Sequence, residues 1–203
     1  MNFLRQYRHF ALILACSFMA IGIQAQQKPL TGRAAALKAK ESLLIYPFFK
    51  GSTNTGVLPV SSPTLPYQHK GKCKLVFDVS YEPEKGQING GIEEVMRVLN
   101  LHGAAGVKKQ DLDVYVIFHG PASASFLDDD VYTKQFQVSN PNLPLIKQLQ
   151  DAGVKLVICG QTLGLRSMNV SSFPDGTLVA YSARTASSDL VQRGYMLYDV
   201  SED

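Results

Sequence analysis

The chain has 203 residues, of which 45% are hydrophobic and 18% are charged, and its formal net charge is +3. That charge falls to about +1 if Arg5 and Arg8 leave with a cleaved leader, and the remaining charges of both signs are interspersed. Because the chain has no zinc-ligand spacing and no repeat of aromatic and basic residues, nucleic acid is not an expected partner.

The amino terminus has the pattern of a secretory signal peptide. Arg5 and Arg8 precede an apolar run from Phe10 to Ile23, whose roughly 14 residues fall short of the roughly 20 that a membrane span needs. Cleavage is predicted after Ala25, with lipoprotein processing at Cys16 as the alternative. No later segment approaches spanning length, so we expect a periplasmic or secreted protein without a stable membrane span.

Residues 26–71 have no sustained hydrophobic period, and prolines are scattered among glycine, serine and threonine. Residues 30–44 are rich in alanine and lysine and are compatible with a helix, while residues 43–49 are apolar enough to lie against a neighbour. We interpret the segment as an extended N-terminal arm. It either packs on its own domain or docks on another subunit.

The pattern changes at Lys72, where strand and helix signals begin to alternate over about 130 residues, the size of one domain. Strands are predicted at 74–79, 114–118, 155–159, 178–181 and 195–198. Helices are predicted at 91–105, 127–136, 142–152 and 183–192. This order predicts a signal peptide at 1–25, an arm at 26–71 and, at 72–203, an α/β domain with a mostly parallel, doubly wound sheet.

Ligands of such sheets bind beyond the carboxyl ends of the strands. That rule selects the loops after the predicted strands as the candidate ligand-binding region. The residues in these loops are Asn89, Gly90, Gly91, His119, Gly120, Cys159, Gly160, Gln161 and Ser182.

The most prominent candidate is Cys159, at the end of the third strand. Cys16 leaves with the signal peptide, and Cys73 begins the first strand, so the sheet places the two remaining thiols too far apart for a disulfide. Cys159 is either a small buried hydrophobic residue or a functional thiol. For function, Gly160 removes a side chain where a ligand would approach, and the backbone N–H groups that follow favour a thiolate.

His119 ends the neighbouring apolar strand and is either a polarising group for the sulfur or substrate, or an ordinary hydrogen-bonded loop residue.

The turn at 87–91 is compatible with an anion cradle or with a turn that needs positive φ. The acidic run at 128–130 is typical of a solvated helix start. His69 and His102 lack metal-ligand partners at a useful spacing, so we expect no metal and no cofactor.

A series of short motifs between Lys72 and Tyr198 resembles the DsrE/DsrF-like family. In chain order these motifs are Leu75-Val76-Phe77-Asp78, Asn89-Gly90-Gly91-Ile92, Val98-Leu99-Asn100, Val116-Ile117-Phe118-His119-Gly120, Asn140-Pro141-Asn142-Leu143 and Val157-Ile158-Cys159-Gly160-Gln161.

The resemblance implies a flavodoxin-like domain with a short, five-stranded, mostly parallel sheet and helices on both faces, assembled as a trimer or hexamer. In sulfur-relay members a cysteine after a central strand carries sulfur as a persulfide that passes between proteins. Cys159 matches that cysteine, and His119 matches the histidine found after a strand in many relatives. Relay members are mostly cytoplasmic, whereas this chain carries an export signal.

Three functions are therefore compatible with the sequence. The first is an exported persulfide carrier or sulfurtransferase accessory that uses Cys159 and a sulfur donor or acceptor protein. The second is a non-catalytic oligomeric module in the periplasm that binds a small ligand or a partner. The third is a thiol redox sensor, which is disfavoured because no resolving cysteine is nearby.

Overall fold

A computed structural model of the chain describes residues 32–68, 70–81 and 83–200. The predicted signal peptide, the alternative lipoprotein site at Cys16, and His69 lie outside the described residues. The helices and strands are α1 Gly32–Ala39, β1 Cys73–Val79, α2 Gly90–Ala104, β2 Leu112–Phe118, α3 Asp129–Phe136, α4 Leu143–Asp151, β3 Lys155–Cys159, α5 Gly160–Leu165, β4 Leu178–Ala180, α6 Ala183–Gln192 and β5 Met196–Val200.

The five strands form one sheet in the order β4-β3-β2-β1-β5, and every neighbouring pair is parallel. The prediction of a flavodoxin-like, five-stranded α/β fold is therefore confirmed. The central strands are almost wholly apolar because helices cover both faces of a parallel sheet. Val76, Phe77, Val116, Ile117 and Ile158 are fully excluded from solvent.

The two faces of the sheet carry cores of different size. Side chains of α2 and α4 pack with alternate residues of β1, β2 and β3 in the larger core, which also contacts Leu163 of α5. The smaller core on the opposite face contains Ala183 and Leu190 of α6. The chain steps from β1 to β4 in one direction and then returns to β5 beside β1, so right-handed crossovers place the last helix on the other face.

This connectivity makes the carboxyl ends of β3 and β4 the topological switch point of the sheet, which is called the crevice below. The helix that follows β3 lies on the face of the larger core, whereas the helix that follows β4 lies on the other face. Adjacent strands whose following helices diverge in this way leave an opening at their carboxyl ends, which is where α/β sheets bind ligands. Cys159 is the last residue of β3 and lies at this crevice.

Several element boundaries differ from the sequence prediction. The last strand spans Met196–Val200 rather than 195–198, and the sequence did not reveal α5 or the 3₁₀ segment Gly120–Phe126. Asn142 precedes α4 as predicted, but its side chain does not cap that helix. The Asn142 Oδ1 instead accepts a hydrogen bond from the backbone N–H of Asn89 at 2.7 Å.

Among the contacts between the described part of the arm and α2, the buried side chain of Asn100 makes the most hydrogen bonds. The Oδ1 of Asn100 accepts hydrogen bonds from the backbone N–H groups of Phe48 and Phe49, at 2.9 and 3.0 Å. Its Nδ2 donates to the carbonyls of Phe49 and Thr55. These bonds satisfy backbone groups that secondary structure does not pair, which holds residues 48–55 against the helix. No helix in the described ranges is long and apolar enough to cross a membrane.

Candidate functional site

The sulfur of Cys159 lies between the first turns of two helices. Cys159 is the N-cap residue of α5, and its Sγ also accepts a hydrogen bond from the backbone N–H of Ala183, the first residue of α6, at 3.3 Å. The residue is 5% exposed. Neither Cys159 nor Cys73 forms a disulfide in the described part of the chain, as expected from their positions at opposite ends of the sheet.

Hydrogen bonds make this thiol more acidic than an ordinary cysteine. Burial raises the pKa of Cys159, but hydrogen bonds from the Thr162 side chain and from the backbone N–H groups of Thr162, Ala183 and Gln161 lower it by more. The net pKa of the thiol is below its usual value. Donors aimed at the sulfur stabilise the thiolate, which is the nucleophilic form.

His119 forms an ion pair with Asp78 across the neighbouring strands. The Nε2 of His119 lies 2.8 Å from Oδ1 of Asp78, a buried oxygen with no other polar partner among the described residues. The contact with Asp78 raises the pKa of His119, and it outweighs burial, which lowers that pKa. The negative charge of Cys159 raises it further, while Arg184 opposes the shift. The net effect is that the pKa of His119 lies above its usual value.

Thr162 connects the loop of His119 to the sulfur. Its Oγ1 accepts a hydrogen bond from the backbone N–H of Gly120 at 2.9 Å. A hydroxyl can donate one hydrogen bond while it accepts another, so Thr162 can also donate to Cys159. Gly120 has a φ of +53°, a conformation that favours glycine. Thr162 is buried, so the chain of hydrogen bonds is shielded from water.

A neighbouring strand leaves no room for a side chain at Gly160. A Cβ at this position would lie 2.7 Å from the carbonyl oxygen of Ala180, at the end of β4. The space that a side chain at residue 160 would take is occupied by the backbone of Ala180 and Tyr181. Tight approach of β4 places Ala183 against the sulfur. The assignment of Gly160 to a ligand-binding site stays a prediction.

Gln161 and Ser182, the two other polar residues predicted near the thiol, make different contacts there. The side chain of Gln161 donates to the carbonyl of Tyr181 at 3.3 Å, while its backbone N–H faces the sulfur. Ser182 forms a capping box with Thr185 at the start of α6. That cap fixes the helix terminus whose first N–H contacts Cys159.

In the predicted loop at Asn89, Gly90 and Gly91, the first and last residues are buried in the protein interior. The Oδ1 of Asn89 caps α2 by accepting from the Gly91 N–H at 2.8 Å, and its Nδ2 donates to Tyr81 and Ser125. Neither glycine has a positive φ, so the alternative of a left-handed turn is wrong. A Cβ on Gly91 would lie 2.8 Å from Cγ1 of Val79, which makes close packing the reason for that glycine.

Within the described ranges, no group of three or more histidine, cysteine or acidic side chains is arranged to hold a metal ion. Asp129 and Asp130 lie in the first turn of α3, as the sequence indicated, and Asp129 accepts a hydrogen bond from the Asn140 N–H at 2.7 Å. His102 contacts Cys73, a pairing that their separation in sequence concealed.

Sequence reasoning missed three contributors to the thiol site, namely Asp78, Thr162 and the N–H of Ala183. Asp78 carried the clearest signal, because it is a charged residue near the carboxyl end of an otherwise buried strand. Thr162 lies three residues after Cys159, which is the spacing of a side chain in the first turn of a helix. Asp78 and Arg184 also line an adjacent cleft of about 370 Å³.

Comparison with known proteins identifies the family of the chain. A model of the DsrE/DsrF-like family matches residues 74–197, while no curated protein matches the chain. A solved structure of a protein of unknown function from Methanobacterium thermoautotrophicum is 16% identical, with a TM-score of 0.47 over 62% of this chain and 96% of that one. The family match begins at the second residue of β1 and ends at the second residue of β5, so it contains β2, β3 and β4 with both His119 and Cys159. The chain belongs to the DsrE/DsrF-like family.

Proposed function

We propose that the protein carries sulfane sulfur as a persulfide on Cys159. The observation that carries this proposal is the set of hydrogen-bond donors around one sulfur: the hydroxyl of Thr162 and backbone N–H groups from the starts of α5 and α6. A buried hydrophobic cysteine needs no such donors. A sulfur that must bear negative charge as a thiolate, and again as a persulfide anion, does.

The reaction is a nucleophilic substitution at sulfur. The Cys159 thiolate attacks the outer sulfur of a donor persulfide, R–S–SH, and a bond forms between Sγ and that sulfur. The S–S bond of the donor breaks, and its electron pair leaves with R–S⁻, so no external oxidant is required. Transfer to an acceptor thiolate is the same step in reverse and regenerates Cys159.

His119 is placed to assist the leaving group. Asp78 raises the pKa of His119, which favours a role for the ring as the general acid that protonates the departing R–S⁻. Asp78 acts through His119 by holding the imidazolium in place. Arg184 adds a positive charge near the same edge, which favours an anionic donor.

The test is a sulfur-loading assay with the full chain. Incubation with inorganic polysulfide, followed by intact-mass measurement and peptide mapping, should show added sulfur on the peptide that contains Cys159. The adduct should disappear in Cys159→Ser and after treatment with cyanide, which removes sulfane sulfur. Cys73→Ser is the matched control, because it removes the other described thiol, and it should load Cys159 normally.

A chain whose Cys159 stays unmodified while a model thiol is loaded in the same mixture would contradict the proposal. That result would favour the non-catalytic module. The module makes its own prediction: Cys159→Ala would leave ligand or partner binding intact, while changes at residues 89–91 would abolish it.

The proposed carrier is an exported homo-oligomer, a trimer or hexamer. Support for export comes from the basic and apolar segments before Ala25. Support for assembly comes from apolar side chains exposed beside the site at the β4 edge, where Leu178, Val179 and Tyr181 are 46%, 52% and 80% exposed. Cell fractionation tests the first point. Light scattering of the chain and of Val179→Lys tests the second, and a monomeric native chain would refute it.

A further inference from the structure

A second cysteine, Cys73, lies at the amino end of the sheet, where it is 3% exposed and its sulfur contacts two polar side chains. Cys73 is the first residue of β1, and the side chain of His102, near the end of α2, is its hydrogen-bond partner. The hydroxyl of Tyr67 donates to the Cys73 Sγ at 3.7 Å. The Tyr67 and His102 rings meet edge to face, with centroids 5.6 Å apart, so the three side chains form one cluster.

The tautomer of His102 suits proton exchange with the thiol. The ring Nδ1 lies 2.8 Å from the carbonyl oxygen of Val98, which can only accept, so Nδ1 carries a hydrogen. That leaves Nε2 as the nitrogen for the Cys73 thiol. A cysteine that faces the basic nitrogen of an oriented histidine is the arrangement that activates thiols in enzymes.

The electrostatic shifts of the cluster agree with its geometry. Burial raises the pKa of Cys73, but the hydrogen bonds from His102 and Tyr67 lower it by more, while the bond to Cys73 raises the pKa of His102. Burial and the same sulfur raise the pKa of Tyr67 to about 12. All three shifts favour a thiolate that accepts hydrogen bonds from an imidazolium and a phenol.

The cluster lines an open cleft with a volume of about 1030 Å³. Lys70, Lys72 and Lys74 also line it, and no carboxylate is among its described lining residues. Met196 and Leu197 contribute an exposed apolar wall. The cleft therefore combines positive charge with apolar surface, which complements an organic molecule that bears carboxylates.

We propose that Cys73, His102 and Tyr67 form a second thiol site that reacts with small, carboxylate-bearing organic disulfides. The Cys73 thiolate attacks one sulfur of R–S–S–R, the new bond forms from Sγ to that sulfur, and R–S⁻ leaves with the electron pair of the broken bond. The proton that His102 took from the thiol passes to R–S⁻. Cys73 is oxidised, half of the disulfide is reduced, and no other reagent is needed.

The experiment uses the full chain with Cys159→Ser, so that its result is independent of sulfur carriage at Cys159. Three disulfides serve as probes: oxidised glutathione, which is anionic, 2-hydroxyethyl disulfide, which is neutral, and cystamine, which is cationic. Peptide mapping locates the adduct on Cys73 and separates it from Cys16. We expect a Cys73 adduct that forms fastest with glutathione and slowest with cystamine.

His102→Gln should slow glutathione addition at neutral pH by about tenfold or more, because it removes the base. Tyr67→Phe should slow it less, and both variants are checked for folding by circular dichroism. If His102→Gln does not fold, the pH dependence of the rate replaces it. The rate of glutathione addition should reach its plateau at a lower pH in the folded chain than in the chain unfolded in urea.

The charged and titratable groups that line the cleft with the thiol are His102, Tyr67, Tyr195, Tyr198 and the three lysines. Absence of an adduct on Cys73, or folded and unfolded chains with the same pH dependence, would overturn the site. Equal rates with the three disulfides would overturn its preference for anions. Loss of sulfur loading at Cys159 would leave all of these results unchanged.

Discussion

The carboxylate of Asp78 lies 2.8 Å from the Nε2 of His119, and this ion pair joins the carboxyl ends of β1 and β2 beside the Cys159 crevice. The two residues are far apart in sequence, but parallel pairing of their strands puts Asp78 opposite Ile117, two residues before His119. The contact raises the pKa of His119 above its usual value. The predictions below separate the contributions of the groups around the Cys159 thiol.

Thr162→Val should make Cys159 a weaker nucleophile at neutral pH. The substitution keeps the shape of the side chain but removes the hydroxyl that donates to the sulfur. Hydrogen bonds to charged groups contribute about 1.5–3 kcal/mol, so we expect alkylation by iodoacetamide at neutral pH to slow by about tenfold or more. Thr162→Ser keeps the hydroxyl and should react at nearly the native rate. Equal alkylation rates for Thr162→Val and Thr162→Ser would show that the hydroxyl does not stabilise the thiolate.

Asp78→Asn should lower the pKa of His119 and make the stability of the protein less dependent on pH. The folded-state pKa of His119 is raised above its unfolded value of about 6.5. The ion pair therefore contributes its full stabilisation below about pH 6.5 and loses it as the pH rises through the folded-state pKa.

Urea unfolding of the native chain and Asp78→Asn at about pH 5.5 and about pH 9 measures this effect. The difference in the free energy of unfolding should be larger at the lower pH, and His119→Gln should show the same trend. NMR titration of the His119 ring in Asp78→Asn should give a lower pKa than in the native chain. If the difference in the free energy of unfolding between the native chain and Asp78→Asn does not change with pH, the ion pair is not its source.

Gly160→Ala should destabilise the fold by about 1–3 kcal/mol, because the new methyl group meets the Ala180 carbonyl at the end of β4. Gly164→Ala is the matched control in the same helix. Its Cβ would meet nothing within 4 Å, so it should be neutral or stabilise by up to about 1 kcal/mol. Chemical unfolding measures both. Equal stability of the two variants would contradict the close approach of β4.

Asn100→Ala should release the arm from α2. Its side chain is fully buried and bonds with four backbone groups of residues 48–55, which would lose their partner inside the protein. We expect a loss of about 3 kcal/mol or more and faster protease cleavage within those residues. Gln148→Ala, which removes exposed bonds to Lys50, is the control and should change either measurement little. Unchanged cleavage in Asn100→Ala would contradict this anchoring.

The elements that sequence predicted well are those whose signal is local. The run Lys155–Cys159 was bounded correctly because it is a short apolar segment between a helix-ending glycine and a second glycine. The helix Ala183–Gln192 has the bounds that the sequence predicts, and the structure adds that Ser182 caps it. By contrast, α5 was missed because its six residues show no sustained helical period, and its start is stabilised by contacts with β4 and with the loop of His119.

The sequence alone determined that the domain is a parallel α/β sheet, that Cys159 ends a strand, and that Cys73 cannot reach it. These conclusions follow from hydrophobic periodicity and strand direction, which are properties of neighbouring residues. Only the tertiary structure decided what surrounds each sulfur. Asp78 with His119, Ala183 with Cys159, and His102 with Cys73 meet through strand order and helix packing, and those contacts depend on parts of the chain that are distant in sequence.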